Sequence, residues 1–425
     1  YLSRGHLYAR IDAREDVDRD RHVAVVRYVI SEGPAVRIGR IVVTGNRRTR
    51  DDVVRGALAM REGDVYDPDA IARSQAALLR LNVFRSVGIR VQDPEAPAET
   101  KDLAVEVSER PWQTLAPGVG YSYANGPRAF VEYGLPNIGG RALELTARAK
   151  VNYPIEASLI DRLRERCRAE YRDEHGADAD VDGVECPWWE VIEGRADVGI
   201  RNPRVDLFPV PAAVRADLIG ERLHRKAYDL TRLSGVTGVD FSLSERISAS
   251  LQYEAEIDDI RKIDSSAFLT QADLERLRFD EGVTTLHSIR PSFALDFRDN
   301  AAHPHRGWFA AGSVEYARSI GEKGSTLLFG LLDGSEVYTN LAKVQGTLSG
   351  YLPVARGTVV AMSLRGGQIF SLDSRSRTII PKRFFLGGAS SMRGYGEDEM
   401  LQEDVRPVLA AEAGHCATSL TGIGC

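Results

Sequence analysis

The stretch ISASLQYEAEI, Ile247 to Ile257, alternates apolar and polar side chains along its whole length. Ile247, Ala249, Leu251, Tyr253 and Ile257 fall on one side, and Ser248, Ser250, Gln252, Glu254 and Glu256 on the other. A period of two is that of a β-strand with two unlike faces. The same pattern recurs in both directions along the chain. In RALELTARAKV (141–151), Leu143, Leu145, Ala147, Ala149 and Val151 oppose Glu144, Thr146, Arg148 and Lys150. In HSIRPSFALDFRD (287–299), Ile289, Phe293, Leu295 and Phe297 oppose Ser288, Arg290, Ser292, Asp296 and Arg298. KVQGTLSGYLPV (343–354) and TVVAMSLRGG (358–367) repeat it. About eleven such segments lie between Leu115 and Phe370, most near the roughly 9–11 residues with which a tilted strand spans a bilayer.

Two features favour a membrane barrel over a soluble sandwich. The polar face carries full charges, not Ser and Thr alone. The connections also alternate, tight turns such as NIGG (137–140), SERI (244–247) and VARG (354–357) against long loops at 153–193 and 258–284. Tight turns at one end and long loops at the other are the asymmetry of an outer-membrane barrel. The bulk composition, 43% hydrophobic with a mean hydropathy of −0.25, resembles that of a soluble protein. It fits a barrel equally well, because only alternate strand residues face lipid. No apolar run reaches the roughly 20 residues of a membrane helix, and no signal peptide opens the chain. A net charge of −6 and a pI near 5.9 exclude the basic face of a nucleic-acid binder.

Residues 34–110 follow another rule. VRIGRIVVTGN (36–46) reads as a strand, with Val36, Ile38, Arg40 and Val42 set against Arg37, Gly39 and Ile41, ended by the turn pair Gly45-Asn46. Thr49, with Asp52 behind it, reads as the N-cap of a short helix through Leu58. Asp67-Pro68 is a second helix start, a cap followed by proline at the first position. Two alternating segments, 84–91 and 103–107, complete a β-α-α-β-β unit with an open sheet edge. HVAVVRYVISEGP (22–34) resembles the end of an earlier copy, since DLAVEVSERP (102–111) also alternates and then reaches Glu and Pro.

These segments together resemble the BamA/TamA-type outer-membrane insertase superfamily. EGPAVRIGRIVVTGNRRTRDDVVRGALAMREGDVYD with LLRLNVFRSV resembles a POTRA domain. LDFRDNAAHPHRGW resembles a mid-barrel strand, periplasmic turn and next strand, and FFLGGASSMRGYGED the sixth extracellular loop with its Arg-Gly-Tyr motif. The expected fold is an α+β POTRA domain (β-α-α-β-β) followed by an antiparallel transmembrane β-barrel that lacks its C-terminal strands. Its parts are a remnant of a preceding POTRA domain (1–33), one POTRA domain (34–110) and the N-terminal part of the barrel (111–425), which stops in the sixth loop. The resemblance implies a bacterial outer-membrane location with the POTRA domain in the periplasm. It also implies that the loop folds into the barrel and is anchored there by Arg393, with Gly394 and Tyr395. The anchor's main partner would lie on a strand beyond Cys425, and the lumen carboxylates Asp296 and Glu254 are further partners. The first strand, with Gly118, Gly120 and Tyr121 after Pro117, would form one side of a weak seam. A glycine- and proline-bearing strand pairs poorly, although a strand end near a turn would read alike.

No hydrolase, metalloprotease or phosphate-loop motif is present, so no enzyme is expected. His303-Pro304-His305 reads as a turn. DADVDG (178–183) matches the start of a calcium loop, with Asp178, Asp180 and Asp182, but Trp189 stands where the bidentate glutamate belongs. An acidic solvated loop is the plainer reading there, and no other cofactor is implied. Cys167 with Cys186 and Cys416 with Cys425 fall as two local pairs, as loop-closing disulfides do, against the reading of four reduced thiols. Some relatives carry a disulfide late in the sixth loop, which Cys416 and Cys425 would match. The partners implied are unfolded outer-membrane client proteins, outer-membrane lipid and periplasmic accessory subunits, with no nucleic acid. A two-partner secretion transporter of the same superfamily is the alternative function, and a passive porin a more distant one.

Overall fold

The computed structural model describes residues 1–384 apart from 19, 21, 123–125, most of 155–190, 206–209, 225–227, 262–281 and most of 322–336. The chain divides into two units. The first is Tyr1–Thr114 with Gly134–Thr146 and Arg201–Arg204, and the second holds the remainder.

In the first unit, β1 (Arg10–Asp18) and β2 (Val23–Ser31) form an antiparallel hairpin. Then follow β3 (Arg37–Thr44), α1 (Asp51–Gly56), α2 (Pro68–Arg80), β4 (Phe84–Val91) and β5 (Thr100–Glu109). The sheet order is β3-β5-β4, with β5 parallel to β3 and antiparallel to β4. Ile38, Ile41, Val54, Leu78, Phe84 and Leu103 are buried together in its core. The expected β-α-α-β-β order is present.

Strict alternation fails within β3. Ile38 and Ile41 are both buried, while Arg40 and Val42 point to solvent. The cause is a shift in the β3–β5 register between Ile38 and Ile41, which turns both isoleucines to one face. A carboxylate from β5 holds the irregular backbone: Asp102 accepts hydrogen bonds from Arg40 N at 2.7 Å and Arg40 Nη2 at 2.9 Å. A side chain at Gly39 would collide with that carboxylate.

The helix starts divide. Asp67 caps α2 as expected, its side chain accepting from Asp69 N at 2.9 Å with Pro68 at the first position. Thr49 does not cap α1, whose N-cap is Arg50 with no side-chain cap hydrogen bond. The Thr49 hydroxyl instead donates to Glu109 Oε1 at 2.7 Å. Glu109, at the end of β5, also accepts from Thr49 N at 2.7 Å and Arg48 N at 3.0 Å. A carboxylate distant in sequence thus collects the amides ahead of α1. Partial burial acts against the charge, but these bonds prevail and hold the Glu109 carboxyl below the usual glutamate range.

The two sheet edges differ. Beside β3, Ile38 N donates to Asp64 O, Gly63 N to Ile38 O and Tyr66 N to Val36 O, so residues 63–66 already occupy that edge. β4 is the last strand on its side and has only β5 as a strand neighbour.

The remaining strands are β6 (Thr114–Ser122), β7 (Gly126–Ile138), β8 (Leu143–Asn152), β9 (Glu193–Val205), β10 (Ala212–His224), β11 (Asp229–Ser242), β12 (Ile247–Arg261), β13 (Gly282–Asp296) and β14 (Gly307–Ser319). A two-residue ladder, β15 (Thr326–Leu327) and β16 (Leu332–Asp333), precedes β17 (Asn340–Ala355) and β18 (Thr358–Ser371). Without that ladder they form one eleven-stranded sheet in chain order. β6 and β18 are its ends and do not pair with each other, so the sheet is an unclosed barrel wall.

Cross-strand registers place each alternation in one of two faces. Leu251, Tyr253, Ile289, Phe293, Leu348 and Leu364 stand exposed on one of them. Glu254 pairs with Val236 and Ser288, and Asp258 with Arg232 and Thr284, on the other. Apolar outside and charged inside reverses the order of a soluble domain and suits a wall with lipid on its outer side. At the β13–β14 connection, Asp299 Oδ1 accepts from His305 N at 3.0 Å and Arg306 N at 3.1 Å. These bonds lower the Asp299 carboxyl's pKa and fold His303-Pro304-His305 into the turn the sequence indicates.

Asp67→Ala, which removes the α2 cap, lowers stability of the first unit by about 1 kcal/mol in denaturant titration. Glu109 also makes this unit sensitive to acid. Its folded pKa is depressed, so its stabilisation is complete above the ordinary glutamate value of 4.5 and is lost as pH falls through the lower folded value. Glu109→Gln therefore loses stability at neutral pH and shows a flatter stability profile below pH ~4.5 in chemical denaturation across that range.

Candidate functional site

The charged face of the large sheet is occupied by the segment that follows β18. Its route begins with hydrogen bonds to the start of β17. Tyr338 Oη donates to Asp373 Oδ2 at 2.7 Å, Asn340 N to Ser376 Oγ at 2.8 Å and Arg377 N to Tyr338 O at 2.9 Å. The Tyr338 hydroxyl, helped by Asn340 and by the amides of Arg375 and Ser376, keeps the Asp373 carboxyl below its usual range.

The segment then packs onto two tiers. The first is apolar: Ile379 and Ile380 are buried against Leu230, Ile260, Leu286, Ala317 and Leu341, one residue from each of five strands, β11, β12, β13, β14 and β17. The second is ionic. Lys382 closes a 3-10 turn, Ile380–Lys382, and its side chain is only 6% exposed. Its Nζ lies 2.5 Å from Glu256 Oε1 on β12 and 2.9 Å from Glu315 Oε1 on β14, with Glu254 Oε2 at 3.9 Å. Arg290 on β13, between those strands, lies 2.9 Å from Glu315 Oε2 and 3.7 Å from Glu254 Oε2. Arg232 on β11 donates to Asp258 Oδ1 at 2.7 Å and lies 3.6 Å from Glu256 Oε2. Buried carboxylates are tolerated only with close cations, and each of these has one.

Two contacts fix the backbone around Lys382. Lys343 Nζ on β17 donates to Lys382 O at 2.9 Å and lies 4.3 Å from the centre of the Phe384 ring. That ring rests where Gly367 of β18 has no side chain; a Cβ there would collide with it. Beside the segment remains a cavity of about 320 Å³ lined by Arg215, Asp217, Gln252, Glu254 and Arg290 among others. The arrangement binds and orients a strap of the chain's own polypeptide. Its ionic groups are neutralised by one another.

The expected site residues scatter. Glu254 is on the ionic tier, beside Arg290 and Lys382. Asp296 is not with it: it sits at the C-terminal end of β13, held by Arg298 at 2.6 Å. Gly118, Gly120 and Tyr121 lie on β6, the free end strand, with Tyr121 65% exposed. Gly118 and Gly120 leave room for neighbouring side chains, since a Cβ would meet the Phe130 ring at Gly118 and Arg128 at Gly120. Arg393, Gly394 and Tyr395, the aspartates 178, 180 and 182, and Cys186, Cys416 and Cys425 lie outside the described residues. Cys167 is disulfide-bonded, but with the other three cysteines undescribed neither expected pairing gains support. Among the described residues no cluster of metal-binding side chains occurs. Lys382, Glu256, Glu315, Arg232 and Arg290 were not singled out as site residues from the sequence. The signal for them there is charge on the polar face of alternating strands: carboxylates at 254, 256 and 258, and arginines at 232 and 290.

Comparison with known proteins assigns both regions. The surface antigen variable number repeat, or POTRA, matches residues 36–110, and the Omp85 superfamily domain matches residues 198–414, just over half the chain. The outer membrane protein assembly factor BamA of Nitratidesulfovibrio vulgaris is 22% identical over 404 residues, and that of Neorickettsia risticii 24% over 400. These alignments take in 95% and 92% of this chain but 43% and 44% of those proteins, so the chain spans less than half their length. The crystal structure of BamA from Haemophilus ducreyi lacking POTRA domains 1–3 shares the fold, with a TM-score of 0.62 at 14% identity, over 94% of this chain and 68% of that one. The chain therefore belongs to the Omp85 superfamily, a POTRA-bearing barrel protein of the outer membrane with its POTRA region in the periplasm.

Proposed function

We propose that the chain is the working part of an outer-membrane protein insertase. The observation that carries this reading is the unpaired edge of β4 in the POTRA region of a chain that also carries an Omp85 barrel wall. An unpaired edge takes up an extended polypeptide through backbone hydrogen bonds and is indifferent to most of its side chains. That suits unfolded outer-membrane proteins of many sequences as clients. On this reading β4 captures a client strand, because the opposite edge at β3 is already filled by residues 63–66. β6 then templates client strands at the lipid boundary, so that their backbone groups enter the bilayer already paired. Pro117 withholds one hydrogen bond from β6, and Gly118 and Gly120 give the strand little side-chain packing of its own, which lowers the cost of opening the seam. No bond in the client is made or broken. The free energy comes from burial of its apolar face and closure of its hydrogen bonds. Arg393 anchors the sixth loop on this reading, and periplasmic accessory subunits and outer-membrane lipid are the remaining partners.

Three outcomes are expected. A photoreactive residue replacing Arg90 on β4 captures an unfolded outer-membrane client in the periplasm, whereas the same residue at Arg40 on β3 does not; equal capture at both sites removes the edge assignment. Gly118→Val, which drives a branched side chain into Phe130, lowers client assembly in a depletion–complementation assay while the protein itself reaches the membrane. Arg393→Ala fails to complement and Arg393→Lys restores growth in part, because a single ammonium replaces a planar fork of donors. Full growth with alanine excludes the anchoring role.

A further inference from the structure

The ionic tier is built around a cation that comes from outside the sheet. Arg232 and Arg290 are strand residues and stay with the wall. Lys382 belongs to the segment after β18 and can leave with it. We propose that Lys382 is the positioning residue of a latch: its ammonium plugs an acidic seat of Glu254, Glu256 and Glu315 and so holds Ile379–Phe384 across the lumen, closing it.

Four observations converge on this latch. The seat is made by two strands, β12 and β14, with β13 between them, so one ammonium ties carboxylates across three strands. The lysine is nearly fully buried in a charged environment, where a cation is retained only by close counter-charges. Its backbone is gripped separately by Lys343, and the next aromatic residue fills the space above Gly367. Finally, the charges balance only with the segment in place. Glu254, Glu256, Asp258 and Glu315 face Arg232, Arg290, Lys343 and Lys382, so departure of Lys382 leaves four carboxylates against three cations. An opened lumen would therefore be acidic. Rings of carboxylates select cations.

The latch depends on the lumen reading of this sheet and not on client assembly, so the test measures ion flow alone. Purified full-length protein is reconstituted in planar bilayers, with heat-modifiable electrophoretic mobility as the check on folding. Lys382→Met, close to lysine in size but uncharged, is expected to raise mean conductance ~3-fold or more and to move the reversal potential in a salt gradient toward cation selectivity. Combining it with Glu256→Gln and Glu315→Gln keeps the higher conductance and abolishes the selectivity. Lys382→Arg, which keeps the charge, stays nearer to wild type in selectivity. A folded Lys382→Met barrel with wild-type conductance and selectivity overturns the proposal. If that variant does not fold, Phe384→Ala decides, since it frees the segment and leaves the seat's charges in place. Raised conductance without a change of selectivity upholds the latch, and unchanged conductance overturns it. Neither result bears on whether clients are assembled, which the complementation assay reads separately.

Discussion

A polypeptide crossing lipid has no water to satisfy its amides and carbonyls, so every strand must find its hydrogen bonds on the strands beside it. The large sheet satisfies this along β7 to β14 and at β17, each between two neighbours, with β6 and β18 at its ends. The same requirement fixes what each face can carry. Side chains on the outer face need only be apolar, and Leu251, Phe293 and Leu364 are. Those on the inner face carry the charge. Pairing order, strand length and charge placement all follow from one solvent boundary.

The inner face then has a problem of its own. Carboxylates and guanidiniums held close to a sheet, partly shielded from water, need compensation at short range. Within the wall, compensation comes from neighbours set by register: Asp258 lies opposite Arg232, and Glu315 lies near Arg290 across the β13–β14 pair. That leaves Glu256 and Glu315 with capacity for a further cation, which the segment after β18 supplies. Apolar contacts of Ile379 and Ile380 place the segment, and Lys382 fixes its depth.

Much of this was legible in the sequence where the physics is local. The two-residue period identified the strands of the large sheet, and Asp67-Pro68 identified the start of α2, because each signal lies within a few residues of its effect. β3 misled, since its bulge is imposed by β5 and by Asp102, neither of which is near in sequence. Thr49 misled for the same reason: the better acceptor for the amides ahead of α1 is Glu109, brought there by the fold of the sheet. Glu254 was recognised as an inner-face carboxylate, but its cations were not, because Arg290 depends on the register of β12 with β13 and Lys382 on the path of the segment after β18. Lys382 lies in PKRFF, a stretch without periodicity, and nothing local distinguishes its ammonium from that of a solvated loop lysine.

A free edge that accepts any extended chain will also accept a second copy of itself, and such pairing is the usual route to aggregation. β4 carries Arg85 and Arg90 exposed along that edge. Two β4 edges brought together antiparallel would set arginine close to arginine, a repulsion that a neutral or acidic strand would not meet. The two arginines thus make the edge a poor partner for its own kind.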